Sequence, residues 1–175
     1  MRHLQLSALA SLFIAALMSA CTTLPLAPTA TVDYDHNYDF SGVHKFSIQP
    51  IPRDTVATLM VSDEQISRIN QALTTELTLR GFEVVSENAD ADMFLAWQFI
   101  PKESLEVATY DPAKQRITEA TLYVNLIDPL LLQSKWRATF RADLNDQPET
   151  PQAARYRQDA AKAILAQFPP DSNAS

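Results

Sequence analysis

The chain of 175 residues contains only two glycines and one cysteine. Loops that bring the backbone close to phosphate groups depend on glycine, so this scarcity excludes the glycine-rich nucleotide-binding motifs. A single cysteine excludes an internal disulfide and every zinc site built from several cysteines. The sequence therefore offers neither a phosphate-binding loop nor a multi-cysteine metal centre.

Positive charge is also in short supply. Lysine and arginine total 14 against 21 aspartates and glutamates, which gives a formal net charge of −7. Proteins that bind nucleic acid neutralise its phosphates with a surplus of cations, so we expect no nucleic-acid partner. The hydrophobic share of 46% and the charged share of 20% are typical of a folded chain, and the length fits one domain.

The first twenty residues have the pattern of a secretory signal. Arg2 precedes an apolar run from Leu4 to Met18, which is shorter than the roughly 20 residues that a membrane-spanning helix needs. Cleavage by an ordinary signal peptidase after Ala20 would place the bulky Met18 where a small residue is expected. We therefore predict that residues 1–20 form a signal peptide that the ordinary signal peptidase does not cleave.

The tetrapeptide Met18-Ser19-Ala20-Cys21 resembles a bacterial lipobox. That resemblance implies cleavage before Cys21 and attachment of acyl chains, palmitate among them, to its sulfur and to the new amino terminus. Several acyl chains hold a protein stably to a bilayer, whereas one chain binds reversibly. Thr22, where an inner-membrane retention signal would have aspartate, implies the periplasmic face of the outer membrane. Residues 21–30 are expected to form a lipidated tether.

Hydrophobic periodicity predicts the elements of one domain over residues 31–170, followed by a disordered tail at 171–175. Alternation predicts a strand over Val32–Phe40, and Ser62 with Gln65 forms a capping box that opens a helix ending at Gly81. Further predicted strands are 45–49, 82–85, 93–100, 105–110, 117–127 and 136–144, with 93–100 apolar on both faces and therefore central.

A second helix is predicted from Pro151, with Ala153, Tyr156, Ala160, Ile164 and Phe168 buried. The order of elements gives an α+β fold, with a mostly antiparallel sheet of about six strands and two helices packed on one face.

Several short segments resemble one bacterial family in order and spacing. They are Val32-Asp33-Tyr34-Asp35, Leu79-Arg80-Gly81-Phe82, Leu122 to Asp128, Lys135-Trp136-Arg137 and Phe168-Pro169-Pro170. Together they resemble the envelope family called domain of unknown function 4136 (DUF4136). The resemblance implies a lipoprotein with an α+β domain, and it brings no activity, cofactor or catalytic residue. Leu130-Leu131-Leu132 departs from the small polar turn usual in that family before the tryptophan.

The acidic segment near the start of the domain is a candidate for cation binding or acid–base chemistry. Asp33, Asp35, Asn37 and Asp39 alternate along the predicted strand, but the spacing lacks the glycine and glutamate of a calcium-binding EF-hand. A solvated strand face is the favoured interpretation. His36 and His44 have no partners at zinc-ligand spacing, and His36 is expected to pack on the apolar face of its strand.

Two further groups have both a structural and a functional interpretation. Trp97 and Trp136 could stack a sugar or a lipid, but their inward period favours core packing. A cationic row is expected on the outer face of its strand, where it either pairs with the acidic segment or meets lipid head groups or an acidic partner. This row consists of Lys135, Arg137 and Arg141.

These observations nominate no catalytic residue, no metal ligand and no cofactor, and the one assigned site is lipidation at Cys21. The first hypothesis is a lipid-anchored, periplasm-facing accessory or binding module without catalytic activity, with an envelope protein as a candidate partner. The second is a carrier of an apolar or lipid ligand between sheet and helices. The third is a hydrolase that uses the carboxylates between Asp33 and Asp39.

Overall fold

The computed structural model describes residues 29–51, 61–101, 119–143 and 149–170. Cys21, the tail at 171–175 and the predicted strand at 105–110 lie outside these ranges. The described elements, in chain order, are β1 (Ala30–Tyr34), β2 (Lys45–Ile48), α1 (Asp63–Leu79), β3 (Glu83–Val84), β4 (Met93–Pro101), β5 (Glu119–Asp128), β6 (Gln133–Asp143) and α2 (Pro151–Leu165).

The six strands form one sheet in the order β1-β6-β5-β4-β2-β3. Strands β1, β6, β5 and β4 pair antiparallel, whereas β2 pairs parallel with both β3 and β4. The α+β class with six strands and two helices is confirmed, but the sheet is mixed. The parallel part arises because α1 lies between β2 and β3, so that the chain crosses over and re-enters the sheet in the same direction.

Strand β1 ends earlier than its sequence pattern predicts. It stops at Tyr34, and the prediction of a strand continuing to Phe40 is wrong. The side chains of Asp35 and Asp39 accept hydrogen bonds from the backbone N–H groups of Asn37 and Ser41, at 3.0 and 2.9 Å. Such bonds to the amide two residues ahead build turns, and here they override the alternation.

Helix α1 forms as its end signals predict. Ser62 accepts a hydrogen bond from the Gln65 backbone, and the Gln65 side chain accepts one from the Ser62 backbone, at 3.1 and 2.9 Å. At the other end Gly81 has φ +90°, and the N–H groups of Gly81 and Phe82 donate to the carbonyls of Thr78 and Leu77. This is the expected glycine-dependent helix termination.

Helix α2 begins as predicted, and it buries Ala160 and Ile164 as expected, together with Ala161 and Leu165, whereas Ala153 is only partly buried. The Thr150 hydroxyl accepts a hydrogen bond from the Ala153 backbone, and Pro151 occupies the first turn. Tyr156 is 42% exposed, so its predicted burial is wrong. Phe168 is buried but lies beyond the end of the helix, with its ring centroid 5.7 Å from those of Phe46 and Trp136.

One face of the sheet carries the hydrophobic core. Trp97, Leu122 and Trp136 alternate with partly or fully exposed neighbours, and both helices pack against this face. Strand β4 is central, as predicted, because it lies between β5 and β2. Its second face is only partly buried, with Phe94 half-buried and Ile100 exposed.

Candidate functional site

A cavity of about 570 Å³ lies between the two helices and the sheet. The sheet contributes large side chains from β4, β5 and β6, chiefly Phe99, Leu122 and Phe140. The helices contribute the opposing wall, which includes Ile69, Ala72, Leu73, Ala153, Ala160, Ala161 and Ile164. The volume falls within the range of roughly 300–1,000 Å³ that small-molecule sites occupy.

The cavity exists because α2 turns small side chains toward the sheet. Ala153, Ala160 and Ala161 line it, together with the larger Ile164, which is fully buried. The space is partly open to solvent, so a small molecule can enter it. An apolar space lined by alanines suits an apolar ligand.

Charged side chains surround the mouth of the cavity. Arg68 Nη1 lies 3.0 Å from Glu149 Oε2, and Arg157 contacts the other oxygen of the same carboxylate. Arg68 also contacts Glu64, one turn earlier on α1. Among the described residues, two cations thus face two carboxylates at the rim. Its polar groups can orient the polar end of a ligand without strongly selecting its charge.

Each carboxylate of the acidic segment has a different neighbour. Asp35 forms an ion pair with Lys135 at 3.0 Å, and this hydrogen bond holds the pKa of Asp35 below its usual value. Hydrogen bonds from Ser41 likewise lower the pKa of Asp39. Asp33 lies opposite Arg137 in the register of β1 and β6. The structure therefore does not assemble them into the acid–base pair that a hydrolase would need.

Both histidines of the described domain lie on the surface. His36 is exposed in the turn after β1, with its ring 4.3 Å from that of Tyr34, so its expected position on an apolar strand face is wrong. His44 is exposed just before β2. In the described ranges no group of three or more His, Cys, Asp or Glu side chains is arranged to hold a metal ion.

Both tryptophans belong to the core, as predicted. Trp97 and Trp136 are buried, and Trp97 Nε1 donates a hydrogen bond of 2.8 Å to Asn70 Oδ1 on α1. The bond ties the first helix to the central strand.

The three cations of the row on β6 have different surroundings in the structure. Lys135 pairs with Asp35 and lies 5.4 Å from the centre of the Tyr38 ring. Arg137 Nε donates to Asn125 Oδ1 at 2.7 Å. The predicted cross-strand ion pair is thus confirmed for Lys135, whereas Arg141 lies apart from the acidic segment, in a second groove.

The turn between β5 and β6 exposes three consecutive leucines, which we call the leucine tip. Leu130, Leu131 and Leu132 are 92%, 57% and 73% exposed. Leu132 has φ +53°, a left-handed conformation that is costly for a residue with a branched side chain. The sequence signalled the place, since three leucines replace a polar turn, but it did not predict so much exposure.

Asp128 holds the leucine tip in this conformation. Its Oδ1 accepts hydrogen bonds of 2.8 Å from the backbone N–H groups of Leu130 and Leu131, and its Oδ2 accepts one of 2.9 Å from the Tyr38 hydroxyl. These bonds, the Leu131 amide foremost, lower the pKa of Asp128. Burial, together with the bond to Asp128, raises the pKa of Tyr38 to about 12.

Comparison with solved structures shows a fold found in other bacterial proteins. A PDZ domain protein from Parabacteroides distasonis matches with a TM-score of 0.54 and 14% identity, over 81% of this chain and 35% of that one. This chain therefore spans about a third of that protein's length. At such identity the likeness concerns the fold alone.

Two smaller solved proteins match over most of their length. A DUF4136 family protein from Bacteroides thetaiotaomicron has a TM-score of 0.46 and 11% identity, over 81% of this chain and 94% of that one. The PelC dodecamer from Paraburkholderia phytofirmans has a TM-score of 0.48 and 15% identity, over 79% and 96% of the two chains.

Among the described residues, neither helix is long and apolar enough to cross a membrane. No curated protein matches the chain significantly in sequence. The sequence profile of the domain of unknown function DUF4136 matches residues 30–170, which is nearly the whole of the domain described above. The chain therefore belongs to the DUF4136 family, whose function is unknown.

Proposed function

We propose that this chain is a lipid-anchored accessory module of the bacterial envelope, facing the periplasm from the outer membrane, which acts by binding and has no catalytic activity. The ligand that the geometry suits best is an apolar or lipid molecule held between the helices and the sheet. The observation that carries this proposal is the cavity of about 570 Å³, with its aromatic floor and its wall of small helical residues.

The anchor rests on the lipobox-like segment that ends at Cys21. Because Cys21 is the only cysteine, a lipid linked through cysteine sulfur has one place of attachment. Cells grown with radiolabelled palmitate should label the wild-type chain and should not label the Cys21→Ser variant. A wild-type chain without label would remove the anchor from the proposal.

The proposed ligand function is tested by the mass of any molecule that the purified protein carries. Full-length protein extracted from membranes in a mild detergent of known mass should carry an additional bound species in native mass spectrometry. The bound species should be lost after organic extraction and refolding, and the apo protein should then melt at a lower temperature because a ligand that binds only the folded state stabilises it. Protein that is empty in every preparation would contradict this ligand function.

A protein partner is a second candidate, and the leucine tip favours it. Exposed apolar groups held in a fixed, strained conformation are typical of surfaces that contact another molecule. A photo-crosslinking residue at position 130 should capture one stoichiometric envelope protein in intact cells. The matched control is position 79. Leu79 is, like Leu130, a leucine exposed on the surface (73%), but it lies at the end of α1. Equal capture from both positions would contradict a partner at the tip.

A further inference from the structure

A second groove lies where β1 begins, at the end of the sheet that α2 partly covers. Its volume is about 1160 Å³, and it is open to solvent. The strands contribute Thr31, Thr121, Thr139 and Arg141, the residue before β1 contributes Thr29, and α2 contributes Arg155, Tyr156, Asp159 and Lys162. We call this the basic groove, because its described residues include three cations and one carboxylate.

The charge of the basic groove contrasts with the rest of the molecule. The described ranges contain nine lysines and arginines, and five of them form ion pairs with carboxylates. Four cations in these ranges are left without such a pair, and three of the four, Arg141, Arg155 and Lys162, line the groove. Within the described ranges, the cations without a carboxylate pair are therefore concentrated in this groove.

The other side chains of the groove suit the same kind of ligand. Four threonines contribute hydroxyl groups, which donate hydrogen bonds to phosphate oxygens, and arginine presents a planar fork that matches phosphate geometry. Among the described residues of the lining, Asp159 is the only carboxylate. The combination favours a phosphate-bearing anion over a neutral or cationic ligand.

The position of the basic groove relative to the anchor identifies the source of that phosphate. Thr29 lines the groove and follows Cys21 by eight residues. Even a fully extended chain spans only 3.3–3.6 Å per residue, so the lipidated cysteine can lie at most about 29 Å away from Thr29. In a chain anchored at Cys21, the groove is therefore held close to the membrane surface.

We propose that the basic groove binds the phosphate groups of anionic phospholipids in the membrane that carries the anchor, and so fixes the orientation of the domain on the bilayer. This inference rests on the proposed lipid anchor and adds to it a second, electrostatic contact. Near an anionic membrane surface each lysine or arginine strengthens binding about fivefold. The contact should weaken at high salt because the Debye length falls to roughly 3 Å at 1 M.

The test uses the acylated full-length protein in two kinds of vesicle, phosphatidylcholine alone and phosphatidylcholine mixed with phosphatidylglycerol. Acetylation of Lys162 by a water-soluble reagent is followed by peptide mass spectrometry. We expect acetylation of Lys162 to be about fivefold slower in the anionic vesicles at low salt, and equally fast in both at high salt. Lys45 is the internal control, because it lies on β2, at the far side of the sheet, and should react equally in both.

Variants locate the effect. Arg155→Gln should reduce the protection of Lys162 about fivefold, whereas Arg155→Lys should retain most of it because the charge remains. Arg137→Gln is the matched control, since Arg137 is an exposed cation outside the groove. Equal effects of Arg155→Gln and Arg137→Gln would show a response to net charge alone and would overturn the assignment to this groove.

Two further outcomes overturn the inference in different ways. Equal acetylation rates of Lys162 in the two vesicles, with Cys21 acylated by mass, would remove the membrane contact and leave the anchor intact. Equal protection by millimolar inorganic phosphate in neutral detergent would show a site for free phosphate rather than for lipid. An unacylated Cys21 would instead remove the proposed anchor, and the inference with it.

Discussion

Replacing Ala160 by leucine would test whether a ligand occupies the cavity beside α2. Ala160 is a buried residue of α2 that lines the cavity, and leucine adds three carbon groups at that place. Each buried methylene contributes about 0.8 kcal/mol, which gives an upper bound of about 2.4 kcal/mol. The lost rotamer freedom of leucine opposes this by about 0.5–1 kcal/mol. We therefore expect Ala160→Leu to raise the free energy of unfolding of the empty protein by about 1.5 kcal/mol.

The assay combines thermal unfolding with native mass spectrometry. For a chain of this length, about 1.5 kcal/mol corresponds to a rise in Tm of roughly 3–6 °C. The same side chain takes space from a ligand, so protein purified from membranes should carry less of the bound species. Ala154→Leu is the matched control, because Ala154 lies on the same helix but is exposed, and its effect should stay within about 0.5 kcal/mol.

Two results would refute this reasoning. A fall in Tm would mean that the space beside Ala160 is already filled, since extra carbon in a packed core costs about 1–3 kcal/mol. A rise in Tm with unchanged ligand content would place the ligand elsewhere on the protein. Only a more stable chain with less bound ligand agrees with the proposed function.

Three other substitutions test the local structure. Leu132→Asn should stabilise the protein by about 1 kcal/mol in thermal unfolding, because asparagine tolerates the left-handed conformation; an equal gain from Leu130→Asn would contradict this. Asp128 has a lowered pKa when folded, so its stabilising effect is complete above the unfolded pKa of about 3.9 and is lost as the pH falls through the folded pKa. In urea unfolding, Asp128→Asn should thus lower the free energy of unfolding more at pH 7 than near pH 3. Equal decreases at the two pH values would contradict a stabilising effect of the ionised carboxylate. Asn70→Ala should cost about 1–3 kcal/mol in urea unfolding by leaving the Trp97 N–H without its acceptor, whereas Asn70→Asp keeps an acceptor and should lose less.

Features that depend on neighbouring residues could be predicted from the sequence. The two ends of α1 follow from Ser62, Gln65 and Gly81, all of which act within one turn of the helix. The inward period of Trp97 and Trp136 likewise identified core residues, since alternation along a strand fixes the face of the sheet. In both cases the information lies within the element itself.

The sites could not be predicted in the same way, because distant segments form them. The cavity needs Phe99, Leu122 and Phe140 on three strands, and its size depends on how closely α2 approaches them. The basic groove joins Thr29 at the start of β1 with Arg141 on β6 and Lys162 on α2. Alternation along β6 places Arg141 on a strand face with Lys135 and Arg137, and nothing in that pattern indicates that α2 brings further cations to the same groove.

Two surfaces of different chemistry lie at opposite ends of the paired strands β1 and β6. Ala30 pairs with Phe140 beside the basic groove, whereas Tyr34 pairs with Trp136 near the leucine tip. Leu132 precedes Phe140 by eight residues along the chain, which corresponds to about 27 Å in an extended strand. A chain anchored at Cys21 as proposed would place the three cations of the basic groove toward the membrane and the leucine tip away from it. A protein partner at the leucine tip and a phospholipid at the basic groove could then be bound at the same time, and the apolar cavity adjoins the basic groove through Phe140 and Tyr156.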